Sequence, residues 1–170
     1  MGNISYTGYF DYSASTPMKK EVIKAMEPFF LEFFYNPSAI YLKSRAVRLG
    51  MEEAKHNIAE TIGAKPSEII FTAGGTEANN LAINGIMAKH KVGQVVTSAI
   101  EHDSVLKPAQ KFNIALVSVN GKGMLNIDNL LASITNKTVL VSVMYVNNEV
   151  GSIQPIKEIA EIIRNVKKYR

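Results

Sequence analysis

Apolar strand-like runs alternate with helical repeats along most of this chain, and that order leaves few folds open. Positions 19–34 carry Val22, Met26, Phe29, Phe30 and Phe33 at helical spacing. Positions 45–62 place Val47, Met51, Ala54, Ile58 and Ile62 on one helix face. The pattern then predicts strand 68–72, helix 76–89, strand 94–98, helix 103–112 and strand 114–119. Gly121-Lys122-Gly123 makes a turn, and Asp128 starts a short helix running to Ile134. Strand 138–146 precedes a last amphipathic helix marked by Ile156, Ile159, Ile163 and Val166. Strands separated by helices build a largely parallel sheet covered by helices, which is an α/β fold. With 170 residues, 46% of them hydrophobic, the chain is long enough for one domain with a real core. It shows no internal repeat and no low-complexity linker.

Three of the strand-like runs end in polar clusters. Ile69-Ile70-Phe71 leads through Thr72-Ala73-Gly74-Gly75 to a helix opening at Thr76. Unpaired N–H groups and the positive helix end point out of such a turn, with a hydroxyl beside them, and this suits a phosphate. Gly74 and Gly75 let a ligand approach the backbone closely. Neither G-x-x-x-x-G-K-[ST] nor G-x-G-x-x-G is present, and taken alone the segment fits an ordinary strand-to-helix connection equally well. Val95 to Thr97 is followed by Glu101-His102, and Val139 to Val146 by Asn147-Asn148-Glu149-Val150-Gly151. In an open α/β sheet the ligand crevice lies outside the carboxyl ends of the strands, where these clusters gather.

Composition closes off other classes. A net charge of +4 and a pI of about 9.2 raise nucleic acid as a partner, but the lysines are scattered and no basic stripe interleaves with aromatics. Arg164, Lys167, Lys168 and Arg170 read as a solvated helix end, where cations complement the dipole. No apolar run reaches transmembrane length, and no basic segment followed by an apolar one marks a secretory leader. The absence of cysteine excludes disulfides and points to the cytoplasm. His56 and His90 sit on separate helices with no partner at ligand spacing, so no metal is expected.

At these clusters the sequence resembles the cysteine desulfurases, pyridoxal-phosphate enzymes of the class V aminotransferase group. The resemblance begins at Tyr9-Phe10-Asp11-Tyr12-Ser13-Ala14-Ser15-Thr16-Pro17. It continues through Asn36-Pro37-Ser38, Phe71 to Asn80, Glu101-His102 and Val146 to Gly151. It implies the N-terminal portion of a fold-type I pyridoxal-phosphate transferase, with residues 1–16 as an arm and 17–170 as part of the large cofactor-binding domain. By this resemblance Gly75 and Thr76 hold the cofactor phosphate. His102 stacks on the pyridine ring and is the catalytic histidine. Asn148 reaches the cofactor's phenolic oxygen and the substrate, and Asn36 lies near the substrate carboxylate. Asn36 also reads as a plain turn residue before Pro37.

Two departures accompany the resemblance. Tyr41 and Ser44 stand where family members often carry histidine and glycine, a difference on the substrate side. In the family, the sequence continues past this point to an aspartate for the pyridinium nitrogen and a Ser-x-His-Lys segment whose lysine anchors the cofactor. Beyond these come a persulfide-forming cysteine and an arginine for the substrate carboxylate. This chain reaches Arg170 before any of them and has no thiol. The resemblance therefore implies half an active site, for taking sulfur from L-cysteine to give L-alanine and an enzyme persulfide. That sulfur would pass to Fe–S cluster assembly or another acceptor scaffold. Alone the chain is expected to be inactive, requiring a C-terminal half or second subunit, with a homodimer as the complete form. The alternatives are another class V enzyme (a selenocysteine lyase or aminotransferase) or a non-catalytic remnant acting as a dimerisation module.

Overall fold

The computed structural model describes residues 8–168, with side chains described as far as Val166. The start of the N-terminal arm and Arg170 of the terminal basic cluster therefore lie outside the described residues. The chain divides into two compact units, one ending at Phe71 and the other beginning at Thr72.

The first unit contains helices α1 (Lys20–Leu31) and α2 (Leu42–Ile62) and a short 3-10 turn, Pro66–Glu68. Helix α2 stops because Gly63 takes a left-handed conformation (φ 66°), which glycine adopts without a Cβ penalty. The Ala64 N–H then reaches Ala59 O at 2.8 Å and the Gly63 N–H reaches Glu60 O at 3.3 Å, satisfying carbonyls the helix end would leave open. Helix α1 buries none of its residues, and Phe29, Phe30 and Phe33 are exposed.

The second unit carries helix α3 (Gly75–Lys89), strand β1 (Gln94–Ser98), helix α4 (Asp103–Ala109), strand β2 (Asn113–Val117), helix α5 (Ile127–Ser133), strand β3 (Thr138–Ser142) and helix α6 (Ile156–Lys168). The strands form a parallel sheet in the order β2–β1–β3. Successive strand residues point to opposite faces, and β1 uses both. Val95 packs with Ile83, Met87, Val105 and Ala109 from α3 and α4. Val96 packs on the other side with Val117, Leu125, Leu130, Ile134 and Ile159. The near-continuous apolar character of Val95-Val96 follows from this double coverage. Gly93 enters β1 where a Cβ would come within 2.7 Å of the Val139 side chain, so strand and neighbour meet only because that position lacks one.

Three strands differ from the pattern in the sequence, β2 least, running Asn113–Val117 rather than 114–119. Segment 68–72 is no strand: Glu68 closes the 3-10 turn, and Ile69 is extended but unpaired. Ile70 and Phe71 are exposed, and no described strand lies alongside them. Strand propensity fixes an extended backbone, whereas a strand needs a hydrogen-bonding partner. Strand β3 ends at Ser142 rather than 146, because the Met144 N–H donates to the Glu101 carboxylate (2.7 Å) and leaves the ladder.

Candidate functional site

Helix α3 starts without a side-chain cap: Gly74 holds the cap position in extended backbone and offers no oxygen. The N–H groups of Gly75, Thr76 and Glu77 therefore have no partner inside the helix. Two contacts brace the approach, with the Ala73 N–H donating to Glu77 Oε2 at 2.6 Å and the Thr72 hydroxyl to Gly74 O at 3.1 Å. A Cβ on Gly74 or Gly75 would meet nothing within 4 Å, so the turn faces open space. A cavity of about 540 Å³ opens there, lined by Ala73 through Glu77 and by Asn80.

A second cavity of about 260 Å³ shares Thr76 and Asn80 with the first and adds His102, Asp103, Ser104, Lys107 and Lys111. His102 reaches it as the cap of α4, where β1 has just ended at Ser98. The structure thus brings Thr76 and His102 to one cavity wall from sequence positions 26 apart. Lysines that looked scattered in the sequence add positive charge: Lys107 and Lys111 lie one turn apart on that wall. Lys107 Nζ sits 2.7 Å from Asp103 Oδ2, and this ammonium holds the Asp103 carboxyl below its ordinary range. Open N–H groups, a hydroxyl and ammonium groups suit an anion the size of a phosphate.

The other sequence candidates stand differently. Asn148 is exposed, its Nδ2 donating to Glu149 Oε1 at 2.8 Å, and it lines neither cavity. Asn36 belongs to the first unit, where its side chain accepts the Ser38 N–H at 2.9 Å and its carbonyl accepts the Ala39 N–H at 3.1 Å. These are the bonds of a turn-forming asparagine.

Two residues that pattern reasoning passed over shape the strand ends. Buried Asn147 donates to Ile100 O (3.0 Å) and accepts the N–H groups of Glu149 and Val150 (2.9 Å each), tying loop 147–151 to the loop before His102. Buried Glu101 accepts from the Ser98 hydroxyl and the Met144 N–H, both at 2.7 Å, locking the end of β1 to the end of β3. The signal available was polar residues directly after buried strands, which marks a place without distinguishing ligand contacts from struts.

Residues 8–169 match the class-V aminotransferase family. The chain belongs to that family. It is 43% identical over 168 residues to a cysteine desulfurase IscS of Dictyoglomus turgidum, covering 95% of this chain and 43% of the relative. It is 42% identical over 168 residues to a cysteine desulfurase IscS of Methanosarcina thermophila, covering 95% of this chain and 42% of the relative. Among solved structures, a NifS-like protein superposes with a TM-score of 0.90 at 31% identity, over 92% of this chain and 45% of that one. SspA in complex with cysteine superposes with a TM-score of 0.89 at 36% identity, over 94% and 48%. The chain thus spans under half the length of these relatives. Among the described residues no helix is long and apolar enough to cross a membrane.

Proposed function

We propose that this chain supplies the N-terminal part of a pyridoxal-phosphate-dependent cysteine desulfurase, taking sulfur from L-cysteine and leaving L-alanine. The observation that carries this reading is the meeting of Thr76 and His102 in one cavity at the uncapped start of α3. The site fits the cofactor's phosphate: three N–H groups lack helical partners, and neither Gly74 nor Gly75 needs to move to admit an oxygen. Pyridoxal phosphate, when bound, supplies the electron withdrawal that weakens bonds at the substrate's α-carbon.

The chain's own groups then have distinct tasks. Gly75 and Thr76 hold the phosphate through N–H groups and a hydroxyl, and Lys107 and Lys111 contribute positive charge. His102 covers the pyridine ring and is the site's proton-carrying group. Asn148, whose exposed amide is bonded to Glu149 in the free chain, would serve the cofactor's phenolic oxygen. Asn36 serves the substrate carboxylate. Residues 17–170 belong to the large cofactor domain, with 1–16 as its arm. The anchoring lysine, the pyridinium partner and the thiolate come from a C-terminal part or second polypeptide. The completed enzyme is a cytoplasmic homodimer passing sulfur to an acceptor scaffold. Support for such an assembly is the exposed apolar set of Phe29 and Phe30 on α1 and Phe33 just after it, and support for the cytoplasm is the absence of cysteine.

Titration of the chain with pyridoxal phosphate, with inorganic sulfate as competitor, tests the reading. Weak, sulfate-sensitive binding that leaves no lysine adduct after borohydride reduction is expected. A stoichiometric reduced adduct at one lysine would contradict the placement of the anchoring lysine elsewhere, and binding indifferent to sulfate would contradict the phosphate site.

A further inference from the structure

His102 does not sit free at the head of α4. The backbone N–H of Ser104 donates to its Nδ1 at 3.1 Å, and the Ser104 hydroxyl lies 2.8 Å from the same nitrogen. Asn79, one turn into α3, donates its Nδ2–H to that hydroxyl oxygen at 2.9 Å. Each group in this chain has its direction fixed by its neighbour. A backbone N–H can only donate, so Nδ1 must accept. Nδ1 then has no proton to give the Ser104 oxygen, so at 2.8 Å the hydroxyl donates to Nδ1 while its oxygen accepts from Asn79. An imidazole whose Nδ1 accepts carries its single proton on Nε2.

We infer that Ser104 and Asn79 are positioning residues that hold the His102 ring as the Nε2–H tautomer, so that the ring's free polar group at the cavity is a hydrogen-bond donor. Ser104 is buried and Asn79 half-buried, so the serine–asparagine part of this network is shielded while the His102 ring itself is exposed. The charged groups on the same cavity wall, Asp103, Lys107 and Lys111, touch neither Nδ1 nor the Ser104 hydroxyl, and Asp103 is engaged with Lys107. The arrangement gives His102 a definite chemical sense. In its neutral form it can donate from Nε2 or return that proton, whereas taking a proton at Nδ1 requires the Ser104 bonds to break. That catalytic meaning rests on the cofactor reading above; the tautomer itself does not.

Nitrogen NMR of the whole chain labelled at histidine tests this, at a pH about two units above an ordinary histidine pKa of roughly 6.5. His102→Gln identifies the His102 resonances against those of His56 and His90. The expected parent spectrum shows a pyridine-type Nδ1 and a pyrrole-type Nε2 for His102, well separated. Ser104→Ala should draw the two shifts toward each other, and Ser104→Thr should keep them apart. Asn79→Asp replaces the donor with an acceptor that takes the serine proton away from Nδ1, and should narrow the separation of the two shifts as Ser104→Ala does, the backbone N–H of Ser104 keeping its own bond. A parent ring with averaged shifts, a pyrrole-type Nδ1, or variants indistinguishable from the parent would each overturn the inference. If a variant does not fold, the parent spectrum alone decides. A single Nε2–H tautomer without sulfate-sensitive cofactor binding would uphold the inference and sink the cofactor reading. Averaged shifts with such binding intact would do the reverse.

Discussion

Thr76 offers an anion two groups from one residue, an unpaired N–H in the first turn of α3 and a hydroxyl beside it. Thr76→Val keeps the shape and the N–H and deletes one hydrogen bond to a charged oxygen, a loss of about 1.5–3 kcal/mol. Sulfate affinity should therefore fall at least tenfold in a calorimetric titration, with little change in the melting temperature. Asp103 acts in the opposite sense, as a negative charge on the same wall. Its carboxyl is held below the ordinary range by Lys107, so the pair is intact above ordinary carboxylate pKa values and is lost as pH falls through the lowered one. At neutral pH Asp103 is therefore ionised, and Asp103→Asn should tighten sulfate binding about two- to fivefold at pH 8, as expected for an exposed charge. Of these residues, Gly75, Thr76 and His102 were singled out by small and polar residues at helix starts together with the family resemblance, and Thr76 and His102 line one cavity. Lys107 and Lys111 were not: their relevance depends on α4 and the turn after it lying beside the start of α3, which no local pattern states.

Strand and helix positions in the second unit follow the apolar pattern closely, because β1 is buried on both faces and its helices on one. Leu130 illustrates how firmly: a seven-residue helix is anchored by one fully buried side chain, and Leu130→Ala should cost about 2–5 kcal/mol of unfolding free energy. Glu101 makes the complementary case. Its carboxylate accepts from the ends of both β1 and β3, so Glu101→Ala would leave the Ser98 hydroxyl and the Met144 N–H without their acceptor. Each orphaned group costs about 1–3 kcal/mol, and hydrogen exchange at Met144 should accelerate before exchange in the middle of β1 does. The same bond explains why β3 stops at Ser142 although the apolar run continues to Val146. Pattern sees side chains, while a ladder ends where a backbone N–H finds another acceptor. Segment 69–72 fails for a related reason, having strand composition but no described strand beside it.

Taken whole, the chain brings Thr76 and His102 to one cavity beside a parallel sheet, and spans 43% of a cysteine desulfurase relative at 43% identity. Ile70 and Phe71 stand exposed outside any described strand, and the aromatic residues of α1 are exposed as well. Such surfaces are what a chain presents when its remaining partner is a further polypeptide segment. The most direct measurement is alanine formation from cysteine in the presence of pyridoxal phosphate, by this chain, by a polypeptide carrying the remaining C-terminal part of a family member, and by the two co-expressed. The account predicts turnover only for the pair, reduced by Thr76→Val. Robust turnover by this chain alone would contradict it, and a well-folded pair without activity would favour a non-catalytic role for the chain.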